Sequence, residues 1–209
     1  MTDIKLQQVA PGAIEQESFR IIEQELGSHF FPSDRFAVIR RVIHATGDFS
    51  FAESLVFHPD AITSGLEAIR SGLDILVDIN MAAAGISKKL LADRGGQVRC
   101  NIGTQKANST RTRSEMAIEE GLEGGNVGIV AIGNAPTALL AAMRVIDRNP
   151  DTAPALLIGV PVGFVNAAES KAILEEKNYP FITNRGRKGG TPVAVAIVNA
   201  LIRLANGTK

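Results

Sequence analysis

The residues best suited to chemistry in this chain begin with a histidine among bases. His44 lies in Arg40-Arg41-Val42-Ile43-His44-Ala45-Thr46-Gly47-Asp48. The apolar spacing predicts a helix there, capped by Ser33 and Asp34 and ending near Gly47-Asp48. At 3.6 residues per turn, Ala37, Arg41 and His44 share one face, opposite much of the Phe36/Ile39/Ile43 stripe. Imidazole ordinarily titrates within the physiological range, a helix C-terminus favours its cation, and a neighbouring arginine opposes it. A proton donor fits this place. So does an ordinary surface or capping histidine, and the local sequence leaves both open. His29, His44 and His58 have no tight ligand spacing, and no cysteine pair or acidic cluster completes a set, so no protein metal site is expected.

Basic residues form the second signal. Residues 103–114 hold Lys106, Arg111 and Arg113, interleaved with Thr104, Asn108, Ser109, Thr110, Thr112 and Ser114. Residues 184–190 hold Arg185, Arg187 and Lys188 and no acid. A guanidinium grips carboxylate or phosphate through a two-pronged fork. Helices opening at Pro136, Asn166 and Thr191 would add exposed N–H groups for an anion. The combination suits a polyanionic small molecule, with solvated loop charges as the plainer reading. Neither G-x-G-x-x-G nor G-x-x-x-x-G-K-[ST] occurs, and there is no G-x-S-x-G elbow. Cys100 sits inside an expected strand, where core packing is its role.

These residues need a scaffold. A first helix is expected over 13–26, stopped by Gly27, and a third from Pro59 to Gly72. From Leu73 onward, apolar runs of strand length alternate with amphipathic segments. The runs are Ile75–Ile79, Val98–Ile102, Val127–Ile132, Ala155–Val160 and Pro180–Thr183, mostly apolar on both faces as in a parallel sheet covered on both sides. Helices are expected near 110–123, 136–148, 166–177 and 191–205, with Asn166 and Glu169 as a capping pair and Pro136 and Pro192 in first turns. Five strand–helix alternations predict a doubly wound α/β fold with a helical N-terminal portion, as one domain over 1–209. Ligands of such folds sit beyond the carboxyl ends of the strands. That rule selects the loops at Asn80-Met81, 103–113, 133–137, 161–166 and 184–190.

Composition narrows the partners. Lys plus Arg and Asp plus Glu are both 22 in 209 residues, so the net charge is zero. Bulk attraction to nucleic acid is not expected, and with one Tyr and no Trp neither is a base-stacking platform. A lone cysteine permits no internal disulfide. No apolar run approaches membrane-spanning length, no signal-peptide core is present, and a cytoplasmic setting is expected. The neutral total conceals an uneven arrangement: Glu53, Asp60, Glu67, Asp74 and Asp78 face Arg70 alone over 53–78, so the acids are expected away from a basic mouth.

Five blocks carry a family likeness: Arg41–Asp48 leading into Phe51–Phe57, Ile75–Met81, Ala131–Leu139, Gly159–Lys171 and Asn184–Gly190. With Ile-Gly-Asn-Ala-Pro-Thr-Ala and Gly-Val-Pro-Val-Gly-Phe-Val among them, the chain resembles the precorrin-8X methylmutases of cobalamin biosynthesis from about Ser18 to about Asn199. The resemblance implies a flavodoxin-like, five-stranded parallel sheet with helices on both faces, and a homodimer with its site near the subunit interface. It implies an isomerase, without a cofactor, that moves a methyl group from C-11 to C-12 of (cobalt-)precorrin-8 to give (cobalt-)hydrogenobyrinic acid. The family's essential histidine falls on His44, and substrate positions fall on Ser18 and Arg41. The remaining loops are assigned to substrate by region, through Asn80, Met81, Thr104, Arg111, Arg113, Asn134, Phe164, Arg185 and Arg187. Neighbouring enzymes of the pathway are further expected partners. Phe51–Phe57 and Asp78–Met81 resemble the branch whose substrate carries cobalt. The competing readings are a flavodoxin-like nucleotide or flavin module and a non-catalytic corrin carrier.

Overall fold

Short apolar runs closed by glycine, asparagine or aspartate form the strands, and the longer amphipathic segments form the helices. The structure, a computed structural model, describes residues 8–103 and 110–207. In chain order the elements are α1 (Ile14–Leu26), α2 (Ser33–Thr46), α3 (Phe51–Ser54), β1 (Leu55–Phe57), α4 (Ala61–Arg70), β2 (Asp74–Val77), α5 (Asn80–Gly85), α6 (Lys88–Ala92), β3 (Val98–Arg99), α7 (Arg113–Glu123), β4 (Val127–Ile132), α8 (Pro136–Arg148), β5 (Leu156–Gly159), α9 (Ala167–Glu175), β6 (Phe181–Asn184) and α10 (Thr191–Ala205).

Among the described residues, six strands form one sheet in the order β1-β6-β5-β4-β2-β3. The five from β2 to β6 are parallel, and their order is that of a flavodoxin-like sheet. The sixth corrects the expectation of five. β1 runs antiparallel to β6, pairing Leu55 with Asn184 and Phe57 with Ile182. Its three residues follow a one-turn helix directly, and three residues are too few to show the alternation that marks a strand. Three further runs are shorter than expected: β2 stops before Asp78, β3 before Cys100, and β5 spans only Leu156–Gly159. Cys100 therefore lies beyond its strand, half-buried against the core, and burial raises its thiol pKa.

Alternate strand residues supply two cores. Ile75, Val77, Ile129, Ala131, Leu156, Ile158 and Ile182 face a layer that includes α4 and α10, with α2 packed in turn on α10. Leu76, Val130, Ile132, Leu157 and Phe181 face α7, α8 and α9. Burying a fully apolar side chain stabilises a fold by about 1.5–3 kcal/mol, so both sheet faces demand such cover.

The capping expectations fare unevenly. Pro136 and Pro192 do sit in first turns. Asn166 makes no side-chain cap with Glu169; its backbone is left-handed, at φ 61°. At α2 the N-cap is Pro32, and Asp34 accepts only the N–H of Arg35 (2.7 Å). A reciprocal capping box appears instead at Thr112 and Glu115, opening α7. Among the described residues no helix is long and apolar enough to cross a membrane.

Candidate active site at the carboxyl edge of the sheet

Two buried charges shape the loops beyond the strand ends. The first is Asp78, with no exposed surface, just past β2. Its carboxylate accepts N–H groups from Gly133 (3.3 Å), Asn134 (2.8 Å) and Ala135 (2.9 Å). Burial raises its pKa and the three N–H donors oppose the rise. This corrects one expectation: the N–H groups before α8 are not offered to a ligand, because a side chain of the protein already takes them. It also ties the end of β2 to the loop after β4, at the switch point where flavodoxin-like proteins hold their ligand.

The second is Lys171 on α9, also without exposed surface. Its ammonium donates to the carbonyl oxygen of Lys188 (2.5 Å) and to Asn184 Oδ1 (3.3 Å). Asn184 Nδ2 donates to the same Lys188 carbonyl at 2.8 Å. The loop so held is stitched to the one after β5: Gly190 N–H to Val160 O (2.8 Å) and Gly163 N–H to Arg187 O (3.2 Å). Gly189 has φ 145°, and a side chain there would run into the Val160 carbonyl.

On this frame stand exposed apolar side chains. Phe164 is 84% exposed, and Val162, Val165 and Met81 are exposed as well. Scattered exposed apolar residues are ordinary, but three within four positions of one loop mark a contact surface. The Arg187 guanidinium lies 5.5 Å from the centre of the Phe164 ring.

The helical N-terminal portion meets this edge through Lys188, whose ammonium binds Asp48 Oδ2 (2.6 Å) and Ser50 Oγ (3.0 Å). Hydrogen bonds from Lys188 and from the Ser50 hydroxyl and N–H hold the Asp48 carboxyl down to about pKa 2. The Lys188 contacts place the loop against the turn that follows α2, four residues after His44. His44 is exposed, its ring edge-on to Phe19 at 5.3 Å between centres. Arg40 and Arg41 lie over the same Phe19 ring, at 4.2 and 5.2 Å. Arg41 donates to Glu15 (3.0 Å), and that hydrogen bond lowers the Glu15 pKa despite partial burial. Ser18 adjoins Phe19 and turns its hydroxyl back to Ile14 O (2.8 Å). Arg41 and His44 therefore gather on one buried phenylalanine, with Ser18 next to it in the chain.

The other expected contacts divide. Asn80 and Met81 open α5 with exposed side chains, and Asn134 is exposed beside Asp78. Three arginines are engaged: Arg111 by Glu115 and Glu119, Arg113 by Ile102 O (2.8 Å), and Arg185 by Glu175 (3.1 Å). Among the described residues Arg187 has no carboxylate partner. Thr104 and Lys106 lie outside the described residues. The sequence reading missed Asp78, Lys171, Glu15 and Phe19 as parts of this region. A signal existed for two of them. Asp78 is the only acid in the run 75–79, and Lys171 shares the buried α9 face with Ala167, Ser170 and Leu174.

Residues 13–204 match the family model described as precorrin-8X methylmutase. The chain belongs to the precorrin-8X methylmutase family. Family members are isomerases of cobalamin biosynthesis, so the protein is an enzyme of that class. It is 42% identical to the cobalt-precorrin-8 methylmutase of Priestia megaterium, covering 98% of this chain and 93% of that one. It is 41% identical to the cobalt-precorrin-8 methylmutase of Leptospira interrogans, covering 92% and 93%. The solved precorrin-8X methylmutase of Thermus thermophilus superposes with a TM-score of 0.84 at 44% identity, covering 93% of this chain and 98% of that structure. Its fold is therefore that of this family of methylmutases.

Proposed function

We propose that this methylmutase moves a methyl group from C-11 to C-12 of cobalt-precorrin-8, giving cobalt-hydrogenobyrinic acid, with His44 as proton donor. The observation that carries this is the junction at Lys188. It brings the loop bearing Arg187, with Phe164 beside it, to the same end of the molecule as His44. A flat macrocycle with carboxylate arms needs an apolar surface, a cation and a proton donor close together. Phe164, Arg187 and His44 are those three.

The reaction is an isomerisation. The C-11–methyl bond breaks as the C-12–methyl bond forms, the ring double bonds shift, and no atom is gained or lost. Hydrogen bonding or proton donation from His44 to a ring nitrogen stabilises the reactive tautomer, and the proton is then returned. Such general acid help is typically worth ~10²–10⁴ in rate. Phe164, Val162 and Met81 lie against the ring, and Arg187 takes a carboxylate arm. Ser18, Arg41, Asn80, Asn134, Arg111, Arg113 and Arg185 line or support the same region, the last three already carrying partners of their own. Cobalt enters as part of the substrate. The names of the two relatives above favour the cobalt-bearing ring. A homodimer encloses so wide a ligand better than one 209-residue subunit, and a cytoplasmic enzyme fits the pathway.

The test is to supply cobalt-precorrin-8 and metal-free precorrin-8X separately and follow the visible spectrum. Faster conversion of the cobalt form is expected. Conversion of neither, with tight product binding, would indicate a corrin carrier. A yellow oxidised-flavin spectrum from the purified protein would indicate a flavin module, a reading that Asp78 opposes by taking the N–H groups of the loop after β4.

A further inference from the structure

Lys171 is a buried ammonium with no ion pair among the described residues. Removing a charge from water costs several kcal/mol per ion unless other groups compensate. The compensation here is two carbonyl oxygens, both from the Asn184–Lys188 stretch. Methionine or leucine would fill the same α9 position without that cost. The side chain is thus poorly explained by packing and well explained by what it holds.

What it holds is a loop with an unusual backbone. Gly186, Gly189 and Gly190 have φ of 79°, 145° and 116°, values open mainly to glycine. In this conformation the Lys188 carbonyl turns inward, where it receives both Lys171 Nζ and Asn184 Nδ2. The side chains of Arg185, Arg187 and Lys188 turn outward and are exposed. The Arg187 carbonyl is fixed in turn by Gly163 N–H, from the loop that bears Phe164. A glycine-rich segment has many other conformations available. An inward ammonium that gathers its carbonyls selects one of them.

We propose that Lys171 is a positioning residue for the methyl transfer: from beneath, its ammonium sets the Asn184–Gly190 loop so that Arg187 stands beside Phe164, facing the macrocycle. It does not touch the ligand. This rests on the reading that the loop meets the substrate.

The test compares the full-length wild type with Lys171→Met, Arg187→Ala and the double variant, in steady-state kinetics and in amide hydrogen exchange. Lys171→Met is expected to stay folded, because an apolar side chain of similar length replaces a buried charge. KM should rise roughly tenfold, about the size of one lost hydrogen bond to a charged group, while kcat moves less than about threefold. In the Arg187→Ala background the same change should add little to KM, since both act through one contact. Exchange at Gly163 and Gly190 N–H should accelerate. An unchanged KM, or a KM effect fully additive with Arg187→Ala, overturns the proposal. Lys171→Gln, which keeps a neutral donor, answers the same question if the methionine variant does not fold. Should the wild type turn over neither corrin substrate, the functional reading fails by itself and exchange decides alone: unaltered protection of the loop would sink the role given to Lys171.

Discussion

Two loops at the carboxyl edge of the sheet are held by opposite charges, and the contrast separates scaffold from site. Residues 133–135 are gathered by a carboxylate, so their N–H groups point inward to Asp78. Residues 184–188 are gathered by an ammonium, so carbonyls point inward to Lys171. The first arrangement takes up N–H groups at the switch point that open α/β folds commonly use for a ligand. The second leaves a cation and an aromatic ring standing in solvent. A buried charge can thus silence one loop and display another, depending on which backbone groups it consumes.

The largest effect should come from neither fastener. His44→Ala is expected to cut kcat by ~10²–10⁴ while leaving fold and product binding near normal. A purified variant with near wild-type turnover would remove His44 from the chemistry and leave the displayed loop without its catalytic neighbour. Asp78→Ala should come next, acting on stability. Three N–H groups, that of Gly133 buried and those of Asn134 and Ala135 part-buried, lose their acceptor, at roughly 1 kcal/mol each. A thermal midpoint about 5–10 °C lower is expected for a chain of this size. An unchanged midpoint would show that water replaces the carboxylate and that the first loop is not silenced by Asp78.

Ligand contacts should show a smaller split. Arg187→Ala is expected to weaken product binding roughly tenfold, the loss of one charge-assisted contact. Arg185→Ala should change it less than about threefold, since an exposed pair such as Arg185 with Glu175 contributes little. Equal effects in a titration would mean that the whole loop, not Arg187, meets the ligand.

The smallest signals are in pH. Burial lowers the Lys171 pKa from 10.5 to about 8. The unfolded chain then holds this proton to higher pH than the folded protein, so stability should rise between pH 8 and 10.5. The gain is at most about 3 kcal/mol, because the two carbonyl oxygens favour the charged form. Asp78 has the opposite sign. Its folded pKa lies above the ordinary 3.8, so its contribution falls as pH rises from 3.8 through the folded value. Melting the wild type beside Lys171→Met and Asp78→Asn isolates each slope, and a parallel pair of curves in either comparison would refute that assignment.

Much of the fold was legible because the apolar runs are short, nearly unbroken and separated by helix-length segments. Val127–Ile132 and Pro136–Arg148 stand as expected to the residue. β1 was not, since Leu55–Phe57 becomes a strand only by pairing with β6, far along the chain, as in Leu55↔Asn184. For the site, His44 and the basic loops were visible as residue types. Their partners were not. Lys188 finds Asp48 across 140 positions and Arg41 finds Glu15 across 26, so a local count of charge could not foresee which cations remain unpaired. Asp78, grouped in sequence with acids expected away from the mouth, is instead one of its struts.

The pairing of β1 with β6 also has a consequence in time. The helical first third rests on the last third: β1 on β6, and α2 on α10. A chain leaving the ribosome makes its early helices before the strand and helix that receive them exist. Closing loops this long costs entropy that local contacts do not return, and folds rich in such distant pairings form slowly. The end of the molecule that carries His44 and Arg187 therefore takes shape only once β6 and α10 have been made.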